Sequence, residues 1–378
     1  MDIKNLREKI DQIDEKLLPL FIERMGIAKE VAEYKKANGL PVMNKTRERE
    51  ILQKVMEQSR DLEQFAHRFY SQIFEISRSY QQAFLHPTTD LTDEINHALL
   101  NTPEAFPQTG IIACQGVEGA YSQMAADRMF PRGNLMFFKS FEAVFDAVES
   151  GLCKYGVVPI ENSSNGSVRS TYELLRKKNV KIVKSERLCI RHELLAKPGT
   201  SLEDITEIYS HEQALSQCSV FLDKLGNKVK IVPCDNTAMA AKMVAESDKP
   251  IAAIASHTAE ALYGLATICT QIQNSDNNYT RFVCISKNLE IYPGADHISL
   301  ILACEHKPGA LYEVLAKLAA LGINLIKLES CPILGHDFEF MFFFELQASV
   351  KDEKIVAMLE SLKQECEELV FLGNYLEA

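Results

Sequence analysis

Thr280 and Arg281 stand side by side in the run Asn277-Asn278-Tyr279-Thr280-Arg281-Phe282-Val283-Cys284-Ile285. The run reads as a strand with a polar head, because β-branched and aromatic types follow the first residues. Alternation puts Arg281 on one face with Val283 and Ile285, where a guanidinium is costly unless an anion pairs with it. The Thr280 hydroxyl beside it can donate a proton. A neutral donor next to a fixed cation suits an anionic substrate that must lose a hydroxyl group. The pair reads equally as a structural salt bridge beside a turn-capping threonine, and these residues alone do not choose.

A second set of polar residues sits on helical stripes near the N-terminus. Arg24 falls four after Leu20 and three before Ile27, and Lys35 falls four after Val31. Arg47 and Glu48 precede Ile51 and Leu52 by four, and Ser77 and Gln81 extend the line Tyr70-Phe74. Two arginines, a lysine, a glutamate and a glutamine aimed inward predict a polar pocket for a small carboxylate-bearing ligand.

The elements that hold this pocket follow from apolar spacing. Ile3, Leu6, Ile10, Ile13, Leu17, Leu20, Ile27, Val31 and Tyr34 predict one long helix over 2–37, with Pro19 costing about 3 kcal/mol or kinking it. Asn38-Gly39-Leu40-Pro41 ends it, and two further helices are predicted over 46–59 and 61–85. Such a helix cannot cover its own stripe, so an intertwined helical dimer is expected. Residues 86–109 read as a linker with one helical turn at 91–100.

Short apolar strands then alternate with helices, as in an α/β domain with parallel strands. Strands are predicted at 110–114, 155–160, 181–191, 205–209, 229–232, 251–255 and 281–286, with a single helix over 212–225 among the connections. Polar loops follow the strands, where open α/β sheets bind ligands. They are Gln115 to Ser122, Pro159 to Gly166, and Ser210-His211-Glu212-Gln213. Each opens a helix whose free N–H groups can face an anion. None is a G-x-G-x-x-G fingerprint, which argues against a dinucleotide-dependent dehydrogenase.

From His297 onward the order βαββαβ predicts a ferredoxin-like module, with Gly309 opening its first helix and a turn at 334–337.

A formal charge of -11 argues against nucleic-acid or anionic-membrane binding. No apolar run reaches transmembrane length, and the N-terminal residues are too polar for a signal peptide. The ten cysteines are scattered without C-x-x-C or metal-like spacing, as expected of buried thiols in a reducing cytoplasm; no metal and no cofactor are implied.

These residues carry three resemblances. Leu6 to Ile10, Ile13-Asp14, Glu23-Arg24, Lys35, Arg47-Glu48-Arg49, Ser77 and Gln81-Gln82 resemble the AroQ-type chorismate mutases. That implies rearrangement of chorismate to prephenate in an all-α intertwined dimer. Arg7 of the partner subunit, Arg24 and Arg47 would hold the carboxylates, with Ser77 in support; Lys35 and Gln81 would bond the ether oxygen, and Glu48 the ring hydroxyl. Asn44 stands where that family often has Asp and would help orient substrate. Val158 to Ser163, Gly119 to Ser122, Tyr209 to His211 and Thr280-Arg281-Phe282 resemble prephenate dehydratases. That implies two periplasmic-binding-protein-like α/β lobes and conversion of prephenate to phenylpyruvate. Thr280 would be the proton donor, with His211 an alternative, and Arg281 would bind a carboxylate. Asn162, Ser163, Gln217, Tyr121, Ser122, Ser210 and His211 would line the cleft, packed by Phe282. Gly309-Ala310-Leu311-Tyr312 and Leu328-Glu329-Ser330-Cys331-Pro332 resemble an ACT regulatory domain, with Cys331 where that family usually has Arg. That implies phenylalanine binding at Gly309, Ala310, Leu311, Glu329 and Ser330, and feedback inhibition. In order, the three resemble the bifunctional chorismate mutase–prephenate dehydratases. The implied domains are 1–88, a linker at 89–108, 109–287 and 296–378, in a cytoplasmic homodimer or higher oligomer. A non-catalytic amino-acid sensor, and a dehydratase with a decayed mutase, are the rival readings.

Overall fold

The structure, a computed structural model, describes residues 2–40, 42–85, 90–332 and 340–378. The expected turn at 334–337 lies outside them, as does Pro41. The chain divides into two compact units. The first comprises Met1–Asn96, Leu302–Phe342 and Leu346–Leu369, and the second His97–Ile301, Phe343–Glu345 and Val370–Ala378.

In the first unit the long apolar repeat forms one helix, α1 (Ile3–Asn38), capped by the Asp2 side chain and ended by Gly39 at φ 63°. Pro19 forfeits one backbone bond, and the helix runs through it. α2 (Lys45–Gln58) and α3 (Glu63–Leu85) complete the bundle. α1 turns a small-residue face inward, with Ala28 and Ala32 buried. Its large stripe faces out: Ile13 is 63% and Leu20 62% exposed. α4 (Asp90–Asn101) replaces the expected single turn with three turns of helix, burying Leu91, Ile95 and Ala98 at helical spacing.

The second unit holds two sheets. Its first strands are β1 (Ile111–Gln115), β2 (Asn134–Phe138), β3 (Tyr155–Asn162), β4 (Gly166–Ser167), β5 (Lys181–Cys189) and β6 (Glu193–Ala196). Between them come α5 (Tyr121–Met129), α6 (Phe141–Glu149) and α7 (Arg169–Lys177). Then follow β7 (Glu207–His211), α8 (Glu212–Gln217), α9 (Ser219–Leu225), β8 (Lys230–Cys234), α10 (Thr237–Glu246), β9 (Ile251–Ala255), α11 (Thr258–Tyr263), β10 (Ala266–Cys269) and β11 (Tyr279–Ser286). One sheet runs β2-β1-β3-β11-β5, with β1 parallel to both neighbours and β11 antiparallel to both of its own. The other runs β10-β6-β9-β7-β8. The predicted strand 181–191 is β5, which ends at Cys189; β6, starting at Glu193 in the other sheet, is not among the predicted strands, and the predicted helix 212–225 breaks at Cys218.

The C-terminal elements are β12 (His297–Ala303), α12 (Ala310–Ala320), β13 (Asn324–Pro332), β14 (Phe340–Gln347), α13 (Glu353–Glu365) and β15 (Glu368–Glu377). This is the expected βαββαβ order, with strands arranged β13-β14-β12-β15. The end of β15 pairs in parallel with β5, Leu376 opposite Lys184. That approach requires Gly373 at φ 152°, where an added Cβ would lie 2.1 Å from the Ile182 carbonyl oxygen.

Candidate active sites

A cleft of about 380 Å³ opens in the second unit between elements of its two sheets. Strand ends and helix ends supply its walls: Gln115, Asn162, Thr280 and Phe282 from the first sheet, His211 from the second, and Gln217 from the end of α8. Tyr121 and Ser122 begin α5, and Asn236 and Thr237 begin α10, so two helix N-termini face the same space. No arginine or lysine lines it among the described residues. Backbone N–H groups and the positive ends of these helices are the available anion ligands.

Thr280 and Phe282 share one face of β11, so both reach the cleft. Asn162 Nδ2 donates to Thr280 Oγ1 at 2.9 Å and to Asn278 Oδ1 at 3.0 Å. Its Oδ1 accepts from Ser164 N and Asn165 N at 3.0 Å each, which locks the amide. Because Thr280 Oγ1 accepts from Asn162, its own proton is free to point at a ligand. The network continues: Asn278 Nδ2 donates to Gln217 Oε1 at 2.9 Å, and His192 Nε2 donates to the same oxygen at 2.9 Å. His192 Nδ1 lies 3.2 Å from the Tyr121 hydroxyl, which donates to Arg191 O at 2.6 Å. The Gln217 oxygen, already accepting from Asn278, fixes a proton on Nε2. Burial holds the His192 pKa below its usual value, with the Gln217 bond pulling the other way.

Arg281 points to the opposite face and does not line the cleft. Its carboxylate partners are protein groups: Glu345, which engages both terminal nitrogens, Nη2 to Oε2 at 2.6 Å; Glu377 at 3.1 Å; and Glu161 at 3.2 Å. Burial alone would lower its pKa; Glu345, then Tyr375 and Glu377, outweigh this and raise it. Of the two sequence readings of this arginine, the salt bridge is the one that the contacts display. Ser163 and Ser210 also stand outside the lining. Ser163 ties loops together through Asn277 O and Tyr279 N, and Ser210, fully buried, donates to Ile254 O at 2.6 Å. His211 lines the cleft and also caps α8 through Gln213 N.

In the helical bundle, Arg24, Ala28, Ala32 and Lys35 share the face of α1 opposite α3. The two alanines leave room between the two cations. The Arg24 guanidinium lies 5.7 Å from the Phe74 ring centre, and its Nη1 is buried without a hydrogen-bond partner. Lys35 Nζ donates to Gln81 Oε1 at 3.2 Å and to Val42 O, which leaves one of its three protons unused. Gln81 Nε2 donates to Ser77 Oγ at 3.4 Å. Burial lowers the pKa of Arg24 and of Lys35, with Tyr70 and Glu48 respectively acting against it. Glu48 is held by Arg78 Nη1 at 2.6 Å. Arg47 departs from the inward orientation expected of it: it is exposed and pairs with Glu50 at 3.2 Å. Asn44 caps α2 by accepting from Arg47 N at 3.0 Å. Arg7 is exposed, ~26 Å along α1 from Arg24.

In the C-terminal module Gly309, at φ 90°, caps α12, and Ala310 and Leu311 line a hollow of about 150 Å³ with Cys304, His306 and Phe340. Glu329 and Ser330 lie on β13 outside that hollow, Glu329 at 3.3 Å from Lys327. His192, Asn278, Asn236 and Arg78 were missed in the sequence. The signal for His192 was its place directly after a predicted strand; Arg78 directly follows Ser77.

The segments 6–82, 112–290 and 298–364 match the families described as chorismate mutase type II, prephenate dehydratase and ACT domain. A bifunctional chorismate mutase/prephenate dehydratase from Aquifex aeolicus (strain VF5) is 32% identical over 378 residues, covering 100% of this chain and 98% of that protein. One from Escherichia coli (strain K12) is 34% identical over 382 residues, covering 98% and 95%. The solved structure of a prephenate dehydratase in complex with L-Phe, from Arthrobacter aurescens, is similar with a TM-score of 0.64 and 27% identity, covering 70% of this chain and 89% of that one.

Proposed function

The chain belongs to the bifunctional chorismate mutase/prephenate dehydratase family, and on that premise we propose how its residues divide the two reactions and their control. The enzyme rearranges chorismate to prephenate and converts prephenate to phenylpyruvate, with an ACT domain as regulator. The observation that carries the dehydratase assignment is the hydroxyl of Thr280, oriented by Asn162 and aimed into the cleft.

In the dehydratase step the bond to the ring carboxylate breaks, and its electron pair enters the ring as CO2 leaves. The ring then expels hydroxide, which leaves as water with the Thr280 proton, and Thr280 regains that proton from solvent water. Phe282, Ile190 and Val168 form an apolar wall that favours a carboxylate becoming neutral CO2. The retained side-chain carboxylate is bound by the N-termini of α5 and α10. Asn162 and Gln217 orient the site, His211 and Ser122 shape its lining, and Arg281 acts as a clamp behind the strand.

The mutase step needs a compact conformer and charge stabilisation at the ether oxygen, without a nucleophile. The unpaired Arg24 Nη1 takes a carboxylate, and the spare protons of Lys35 and Gln81 take the ether oxygen. A million-fold acceleration requires about 8 kcal/mol, and donors of this type supply about 2.7–4 kcal/mol each. Arg7 is too far from Arg24 to serve its own pocket, and the outward stripe of α1 is uncovered in one chain. A homodimer in which the partner's helix covers that stripe and delivers Arg7 answers both. Phenylalanine binds at the ACT domain around Gly309, Ala310 and Leu311 and restrains the dehydratase; the exposed Ile326 and Leu328 on the edge strand β13 suit pairing of two such modules.

The test is an assay on the full chain with chorismate supplied and prephenate and phenylpyruvate followed separately. Arg24→Ala is expected to abolish mutase turnover and spare the dehydratase, and Thr280→Val to do the reverse. Equal loss of both activities in either variant, or full dehydratase activity in Thr280→Val, overturns the assignment.

A further inference from the structure

Glu48 ends a chain of alternating charges that runs from the mutase pocket into the ACT domain, all inside the first unit. Arg78 Nη1 donates to Glu48 Oε2 at 2.6 Å, and Arg78 Nη2 donates to Glu75 Oε2. The other oxygen of Glu75 lies 3.6 Å from Lys317 Nζ. Lys317, on α12, is 2% exposed and donates to Ser361 Oγ at 2.5 Å and Glu365 Oε1 at 2.6 Å, both on α13. The sequence of signs is Glu48, Arg78, Glu75, Lys317, Glu365, so each charge is compensated by its neighbours.

A buried lysine on a regulatory helix is costly and is kept only when its partners repay desolvation. Here one partner belongs to α3, the helix that also carries Ser77 and Gln81. The Arg78 guanidinium is a planar fork with its arms on two carboxylates, so it fixes Glu48 in direction as well as in charge. Glu75 fixes Arg78 in turn, and Lys317 draws on the free oxygen of Glu75. α12 is therefore linked to Glu48 through three side chains, without contacting the mutase ligands.

We propose that Arg78 is a positioning residue for the mutase reaction, acting through Glu48, and that Lys317 of the ACT domain sets its orientation through Glu75. This rests on the mutase role of Glu48, and the experiment separates the two. Arg78→Met, Glu48→Gln and the double variant are made in the full chain, with Arg78→Lys, Lys317→Met and Glu75→Gln. Mutase kcat/KM, dehydratase kcat/KM and the thermal midpoint are measured for each. The expected results are a loss of ~10- to 100-fold in mutase kcat/KM for Arg78→Met, by analogy with groups that orient a ligand-binding side chain, and partial rescue in Arg78→Lys. In the Glu48→Gln background Arg78→Met is expected to add nothing, because both act on one interaction. Lys317→Met is expected to lower mutase kcat/KM about fivefold with dehydratase kcat/KM unchanged. Full mutase activity in Arg78→Met beside a crippled Glu48→Gln overturns the proposal and leaves the reading of Glu48 standing. Full activity in Glu48→Gln overturns that reading instead. Additive losses in the double variant reduce Arg78 to a structural salt bridge. If Arg78→Met does not fold, Glu75→Gln and Lys317→Met carry the same comparison, and full mutase activity in both sinks it.

Discussion

Removing the Arg281 guanidinium is the sharpest perturbation that the second unit offers. In Arg281→Met the apolar part of the side chain survives, so the change is one of charge. Arg281 and Glu345 side chains are 8% and 0% exposed, Glu377 is 12% exposed, and Glu161 is 36% exposed. Glu161 is open enough to be largely screened and adds little. Glu345 is the group left uncompensated, and breaking a buried pair by removing one partner costs about 3–5 kcal/mol. For a unit of this size each kcal/mol moves the melting midpoint by about 2–4 °C, so a fall of roughly 6–20 °C is expected. The assay is a thermal or urea melt of the full chain, with Arg281→Met/Glu345→Gln as the companion. The double variant removes the stranded charge and should recover much of the loss. Added salt should change the wild-type midpoint little, since buried pairs are weakly screened. An unchanged midpoint in Arg281→Met, together with a collapse of dehydratase kcat/KM, would refute the clamp and make Arg281 a substrate ligand.

Two further outcomes follow from the same unit. His192 has a folded pKa below its ordinary 6.5, so above pH 6.5 both folded and unfolded chains hold it neutral. As pH falls below 6.5 the unfolded chain gains a proton that the buried ring resists. Stability is therefore lost toward acid with a slope of at most about 1.4 kcal/mol per pH unit; urea midpoints at pH 7.5 and 5 should differ more for wild type than for His192→Asn, and equal differences would rule this out. Gly373→Ala places a methyl group against the Ile182 carbonyl, and strain with overpacking should cost about 1–3 kcal/mol or more; an unaltered melt would mean that β15 can shift freely along β5.

Much of this architecture was legible in the chain, and the exceptions have physical causes. The 3-4 repeat of α1 is visible because its stripe is continuous, and Pro19 costs only one bond against thirty-six residues of helix. The face that packs on α3 within the chain was hidden, since Ala28 and Ala32 carry no strong hydropathy signal. The strand predicted over 181–191 is two residues too long and β6 was missed, because apolar residues persist across Ile190 and nothing local marks where the chain leaves one sheet for the other. Thr280 and Asn162 could be named from local polar patterns, and the structure brings them within 2.9 Å. The resemblance placed Arg281 and Thr280 at one substrate site, but neighbours in a strand face opposite sides. The partners of Arg281 lie 64 and 96 residues away, and no local pattern announces them. Arg47 failed for a related reason: helical spacing gives a direction, and at the exposed first turn of α2 a nearby Glu50 captured the side chain.

Every group assigned above to the dehydratase step belongs to a single chain. In the proposed homodimer the ribbon along α1 would make the mutase pocket communal, with Arg7 serving a neighbour and Arg24 its owner. Partial loss of good chains then affects the two activities by different laws. Phenylpyruvate formation falls in proportion to the damaged fraction. Chorismate turnover falls more steeply when one chain lacks both arginines, because each pocket needs two sound contributors. When the two lesions lie on separate chains, a mixed pair regains one intact pocket from two inactive parents. On that proposal, dominance and complementation would be decided by which face of a single helix meets its partner.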